Sequence, residues 1–182
     1  MTILHVDSSI LAENSISRQL SGAVVARLLA AQPGTQVDYL DLAAGPVPHF
    51  TIGAENVSVD AFLAADTVVI GAPMYNFTVP SQLKAWIDSI LVAGRTFRYT
   101  EQGTVEGLAG PKRVIIAISR GGLYGAGSGQ EAAEHVETYL RAVFAFIGLS
   151  PEFVIAEGVQ LGPDARAAAV DKALGEVAAL AA

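Results

Sequence analysis

The chain of 182 residues contains no cysteine. That absence excludes disulfides, iron–sulfur clusters, thiolate zinc sites and thiol nucleophiles, and it favours a reducing compartment. Charge is scarce as well: only 16% of residues are Asp, Glu, Lys or Arg, with 11 basic against 18 acidic and a net charge of -7. A negative chain is repelled by nucleic-acid backbones and by anionic lipid surfaces, so neither is an expected partner. No uncharged apolar run approaches the roughly 18 residues that a membrane-spanning helix needs. The opening Met1-Thr2-Ile3-Leu4-His5-Val6-Asp7 lacks the basic stretch of a secretion signal, and the expected location is the cytoplasm. What the chain has in quantity is apolar surface, at 52% hydrophobic residues. Disorder is thereby excluded. So large an apolar fraction calls either for a sheet covered on both faces or for a further buried surface such as a subunit interface, and both remain open.

Short β-branched runs alternate with longer helical patterns about five times, which is the βαβ signature. The first strand runs over Ile3–Asp7. From Ser15 a stripe of Ile16, Leu20, Val24 and Leu28 reads as a helix that ends near Pro33-Gly34. Val37–Asp41 alternates in polarity, as an edge strand does. The runs 67–71 and 114–119 are continuously apolar and should be central strands. Leu83, Trp86, Ile87, Ile90 and Leu91 share one helical face, with Pro80 near its first turn. Val136, Leu140, Val143, Phe144 and Ile147 share another, closed by Gly148. Phe153–Ile155 is the fifth strand, and an Ala-rich helix from Asp164 ends the chain. Five parallel strands with helices on both faces predict an α/β, doubly wound sheet in the flavodoxin-like order 2-1-3-4-5, as one domain over residues 1–182. Two segments lack periodicity: Gly45–Val59, which holds Pro46, Pro48 and His49, and Ala93–Lys112, which holds Phe97, Tyr99 and four glycines. Long loops of this kind are usually functional or mobile.

In such a sheet the ligand crevice lies outside the carboxyl ends of the strands. After the first strand come Ser8-Ser9 and then Ser15-Ile16-Ser17 at a helix start, where hydroxyls and free N–H groups suit either a phosphate or a simple N-cap. After the third come Met74-Tyr75-Asn76-Phe77. Three large apolar side chains in a solvent-facing loop either cover something flat or staple the next helix. After the fourth comes Ser119-Arg120-Gly121-Gly122, in which paired glycines allow a planar ligand close to the backbone or simply make a flexible loop. Gly127 to Ala132 fits G-x-G-x-x-A, but it follows the wrong strand for a dinucleotide fingerprint.

Taken together, Ser9, Ser15-x-Ser17, Pro73-Met74-Tyr75-Asn76-Phe77, Thr96-Phe97-Arg98-Tyr99 and Ser119-Arg120-Gly121-Gly122 resemble the bacterial FMN-dependent NADH-azoreductases, also called FMN-dependent NADH:quinone oxidoreductases. The resemblance spans nearly the whole chain. It implies that Ser9 and Ser15, Ile16 and Ser17 hold the FMN phosphate. Met74, Tyr75, Asn76 and Phe77 would line the isoalloxazine, and Ser119, Arg120, Gly121 and Gly122 would contact its far side. It further implies that Tyr99 and Phe146 lie near the substrate space, partly supplied by the second subunit of a homodimer. NADH or NADPH would be the co-substrate, and quinones and aromatic azo compounds the acceptors, in a ping-pong cycle. Only about 15 residues separate His49-Phe50 from the third strand, a shorter stretch than the family pattern, on the substrate side.

The cofactor carries the redox chemistry in such proteins, so no catalytic side chain or general acid is assigned. No metal site is expected. His5 reads as a hydrogen-bonded strand residue sooner than a ligand, Glu131 and His135 have a helical spacing that could hold a metal but is more often a solvated pair, and His49 is a loop residue within reach of a substrate cavity. Asp7 either organises the turn at the strand end or takes part in chemistry. The alternative function is a flavodoxin-like electron carrier without a substrate pocket, although the phosphate loop lacks the T/S-x-T-G-x-T arrangement of flavodoxins. A receiver-type signalling domain shares the strand order, but Asp7 is followed by Ser8 and Ser9, not by a second acidic residue.

Overall fold

The computed structural model describes residues 1–49, 51 and 57–181. Strand β1 (Thr2–Asp7) leads through a short 3-10 turn into α1 (Ile16–Ala31) and then β2 (Gln36–Asp41). There follow α2 (Val57–Ala64), β3 (Thr67–Pro73), α3 (Ser81–Ile90), a small hairpin of β4 (Phe97–Tyr99) and β5 (Val105–Gly107), and β6 (Arg113–Arg120). The chain closes with α4 (Glu137–Phe146), β7 (Glu152–Glu157) and α5 (Pro163–Ala179). The main sheet is parallel throughout in the order β2-β1-β3-β6-β7. That is the predicted 2-1-3-4-5 order once the hairpin is set aside.

Side chains alternate across a strand, and here the alternation separates two cores. Ile3, Val69, Ile115, Ala117 and Val154 pack with Leu20, Val24 and Leu28 of α1 and Val170, Ala173 and Val177 of α5. Leu4, Val6, Val68, Ile70, Ile116 and Ile118 pack with Phe62 of α2, Trp86 and Ile87 of α3, and Leu140 and Phe144 of α4. Every residue of β3 is buried, as its unbroken apolar run requires of a strand covered on both faces. Gly71 belongs to this close fit: a Cβ there would overlap the Asp7 carboxylate and crowd Ser21 and Ser17.

Two regions differ from the sequence reading. The 93–112 segment is an antiparallel hairpin, closed by Thr100 N–H donating to Thr104 O at 2.9 Å and docked by Gly107 against Ile147 and Gly148 at the end of α4. Its strands have three residues each, too short for a period of two to register. The short helix α2 also went unforeseen; it holds itself in place with the buried Val59 and Phe62. Of the Gly45–Val59 segment, His49 is exposed, while Phe50 and residues 52–56 lie outside the described residues.

Candidate FMN-binding site

The carboxyl ends of β1, β3, β6 and β7 meet at one side of the sheet, and the loops that leave them form the site. Parallel pairing puts Asp7 beside Gly71 and Pro73 beside Ser119, so the three loops start level.

The loop after β1 is held from below and open above. Ser8 Oγ donates to Gly71 O at 2.8 Å. Arg18 clamps the loop by donating Nε and Nη2 to Ser9 O at 3.2 and 2.7 Å, while its guanidinium forks onto Asp41 at 2.8 and 2.7 Å. The hydrogen bond from Arg18 holds the Asp41 carboxyl below the usual carboxylate range, against the upward pull of burial. Beneath α1, Asp7 accepts from Ser21 Oγ at 2.8 Å and from Tyr39 OH at 3.2 Å, and Ser21 Oγ lies 3.0 Å from His5 Nε2. Asp7 and His5 are therefore structural members of one buried network. Ser15 is the N-cap of α1, its Oγ accepting from Arg18 N–H at 3.3 Å and lying 3.1 Å from Ser17 Oγ. The N–H groups of Ile16 and Ser17 have no partner among the described residues. Capping and anion binding are thus compatible here: Ser15 satisfies one orphan donor, and two more still point out along the positive end of the helix.

The loop after β3 is a tight turn. Tyr75 and Thr78 exchange backbone hydrogen bonds at 2.9 and 3.2 Å, and both central residues have positive φ, 48° at Asn76 and 74° at Phe77. Asparagine tolerates that region; phenylalanine does so only under strain, a feature concentrated at functional sites. The turn presents Phe77 half-exposed, its ring edge-on to Tyr124 at 6.3 Å. Tyr75 OH returns to the first loop, 3.0 Å from Ser9 Oγ, and accepts from Ile10 N–H at 3.2 Å.

The loop after β6 is braced from behind by the loop after β7. Gly158, Val159 and Gln160 donate their N–H groups to the carbonyls of Gly122, Arg120 and Gly121 at 2.9, 3.2 and 3.0 Å. The Arg120 side chain departs from the expected cofactor contact. It is 2% exposed and turned beneath the loop, 3.1 Å from Glu134, 2.9 Å from Glu137 and 3.5 Å from Glu157. Burial raises the Glu134 carboxyl, but the N–H groups of Glu137 and Thr138, the Arg120 guanidinium and the N–H of Val136 together hold it below its ordinary range. Glu157 in turn accepts from the N–H groups of Tyr124 and Gly125, both at 3.0 Å. A buried cation surrounded by carboxylates is part of the scaffold.

Two connected hollows result. The smaller, of about 70 Å³, is lined by Ser9, Ser15, Ile16, Met74, Ser119 and Arg166, among others. The larger, of about 520 Å³, lies between Met74–Phe77 and Gly121–Tyr124, with Ile10 and Gln160 at its edges. Met74, Tyr75, Gly121 and Gln160 border both. Ser17 is fully buried and meets this space only through Ser15. Tyr99 and Phe146 line neither hollow within one chain; they flank Phe97, with ring centroids 5.7 and 4.7 Å from it, on the hairpin. The expected Glu131–His135 pair on a helix does not form: α4 begins at Glu137, and the Glu131 carboxylate instead accepts from Gly127 N–H. Gln160 and Arg166 were not legible in the sequence, because they follow the fifth strand, and only its adjacency to β6 puts its end in the same crevice.

Residues 1–181 match a protein family described as having a flavodoxin-like fold, which is the class that this sheet and its strand-end hollows define. The FMN-dependent NADH:quinone oxidoreductase of Xanthomonas campestris pv. campestris is 51% identical over 202 aligned positions, covering 99% of each chain. That of Methylorubrum populi is 54% identical over 201, covering 99% of this chain and 98% of the relative. Both alignments exceed the 182 residues present here, so each relative carries residues that this chain lacks. Among solved structures, the azoreductase from Bacillus anthracis str. Sterne superposes with a TM-score of 0.86 at 29% identity, over 98% of this chain and 97% of that one. The chain belongs to the family of FMN-dependent NADH:quinone oxidoreductases.

Proposed function

We propose that the chain is an oxidoreductase that moves two electrons from NADH or NADPH, through bound FMN, to quinones and aromatic azo compounds. The observation that carries this reading is the join between a small polar hollow and a larger slot walled by Met74–Phe77 and by glycines: a phosphate socket opening onto a space for a flat ring. The donor set fits FMN. Ser9, Ser15, Ser17 and the free N–H groups of Ile16 and Ser17 suit a phosphate dianion, Met74, Tyr75, Asn76 and Phe77 suit one face of a tricyclic ring, and Ser119, Gly121 and Gly122 let its far edge approach the backbone. FMN supplies the hydride and electron chemistry when bound. The chain's part is to bind, to orient and to leave one face of the slot open, with Asn76 offering amide hydrogen bonds at its rim. Arg120 contributes by fixing the backbone of the glycine loop, its guanidinium remaining below.

The same three loops that hold the cofactor leave no separate dinucleotide fingerprint, so donor and acceptor use the open face in turn. Initial-rate plots at several fixed quinone concentrations should be parallel, whereas intersecting lines would require a second site. Tyr99 is 68% exposed and Phe77 50% in the single chain, and surface aromatics at this density favour a covering partner. In this reading the chain acts as one domain within a homodimer, each subunit's hairpin placing Tyr99 and Phe146 beside the other's slot, in the cytoplasm where reduced nicotinamide is at hand. Tyr99→Ala and Phe146→Ala should change the two half-reactions unequally while FMN stays bound. An electron carrier, by contrast, would leave quinone turnover indifferent to both substitutions.

A further inference from the structure

Two guanidinium groups lie on either side of the loop after β1, one beneath it and one at the small hollow, and they are not equivalent. Arg18, on the β2 side, is neutralised by a two-pronged pair with Asp41 and bonded to Ser9 O. Arg166, on the β7 side, lines the small hollow together with Ser9, Asn14, Ser15 and Ile16. It sits at the first turn of α5, where its own N–H is tied to Gly162 O at 3.0 Å, and its Nη2 reaches Asn14 O at 3.4 Å. No carboxylate lies within ion-pair distance of it among the described residues. Its side chain is exposed, on a chain of net charge -7.

We infer that Arg166 is the cation that pairs with the phosphate of FMN, reaching across from α5 to complete a socket otherwise made of neutral hydroxyls and backbone N–H groups. The inference rests on the FMN reading above and deepens it. Hydroxyls and a helix start attract a dianion with neutral donors, and a planar guanidinium adds a full positive charge and two parallel donors that match phosphate oxygens. The hold on Asn14 O is a long single hydrogen bond to a neutral acceptor, which a dianion in the hollow would outcompete. Arg166 therefore adds to the preference for FMN over riboflavin that the hydroxyls and N–H groups begin. It takes no part in electron transfer, because the redox-active ring would occupy the other hollow, which Arg166 does not line.

The test is a titration of the flavin-free full chain with FMN and, separately, with riboflavin, read by quenching of flavin fluorescence. Arg166→Ala should raise the FMN dissociation constant about tenfold or more, which corresponds to about 1.4 kcal/mol or more. Riboflavin binding should stay within about twofold, since the ring contacts are untouched. The salt dependence of FMN binding should become shallower, and Arg166→Lys should restore part of the loss. Unchanged FMN affinity in Arg166→Ala would overturn the inference while leaving the cofactor reading intact. So would an equal loss for FMN and riboflavin, because that would make Arg166 a strut for Asn14 only. A wild-type chain that takes up no FMN at all would overturn the cofactor reading itself, and Arg166's role with it.

Discussion

The loops after β1 and after β6 both end at the same crevice, and both hold buried polar groups, but they handle them in opposite ways. Behind the glycine loop, three glutamates ring the Nη groups of Arg120, whose Nε alone has no partner among the described residues, and Glu134 and Glu157 also accept five backbone N–H groups between them. In the loop after β1, the buried hydroxyls of Ser15 and Ser17 mainly find each other, and the amides beside them have no partner among the described residues. Closed polar networks mark scaffold, and open hydrogen-bonding capacity marks the place for a ligand. Arginine shows the contrast within one residue type: Arg120 is enclosed by carboxylates, while Arg166 at the hollow has no carboxylate partner among the described residues and reaches only Asn14 O.

The largest effect that could break this comparison is on stability. Arg120→Met should cost about 3–5 kcal/mol, because it leaves Glu134 charged and buried without its partner. Urea denaturation would measure it, and Arg120→Met combined with Glu134→Gln should recover part of the loss. A folded Arg120→Met protein of unchanged stability but much weaker flavin binding would return Arg120 to the cofactor and dissolve the distinction.

Ser15→Ala with Ser17→Ala should act the other way. FMN affinity should fall by more than tenfold, since hydrogen bonds to a charged group are worth roughly 1.5–3 kcal/mol each. Stability should fall by only about 1 kcal/mol, the worth of a lost N-cap. Equal affinity in the double variant would leave those serines as caps alone.

A smaller effect should appear in acid. Glu134 and Asp41 are held below their ordinary ranges in the folded chain, so each stabilises fully above its unfolded pKa. That contribution is lost as pH falls from the ordinary carboxylate range, 4.5 for Glu134 and 3.8 for Asp41, toward the lower folded values. Denaturation midpoints measured across that window should drop with pH, and less steeply in Glu134→Gln than in the wild type.

The legibility of the molecule in its sequence follows the same division. Strand order, the two buried strands 67–71 and 114–119 and the helix from Ser15 were readable because hydrophobic period reports burial directly. Ser9, Ser15, Ile16, Met74–Phe77, Ser119 and the two glycines were readable as site candidates because the carboxyl end of a parallel strand is a position that topology dictates. Arg120 was not, since a basic residue beside paired glycines looks the same whether it faces a ligand or three glutamates that arrive from residues 134–157. The hairpin and α2 escaped because three-residue strands span one and a half periods and an eight-residue helix little more than two, too few for a pattern to register. Arg166 was invisible for a related reason: it stands in an Ala-rich helix, and only the pairing of β6 with β7 brings that helix's start to the small hollow.

The central claim is that this open hollow and slot hold a flavin that NADH and a quinone use in turn. Anaerobic mixing of the FMN-loaded chain with one equivalent of NADH, followed by one equivalent of a quinone, tests it most directly through the yellow absorbance of the flavin. The account predicts that NADH alone bleaches the colour and that the quinone restores it with no third component present. A flavin that NADH leaves coloured, or one that bleaches and does not recover when the quinone is added, would contradict it.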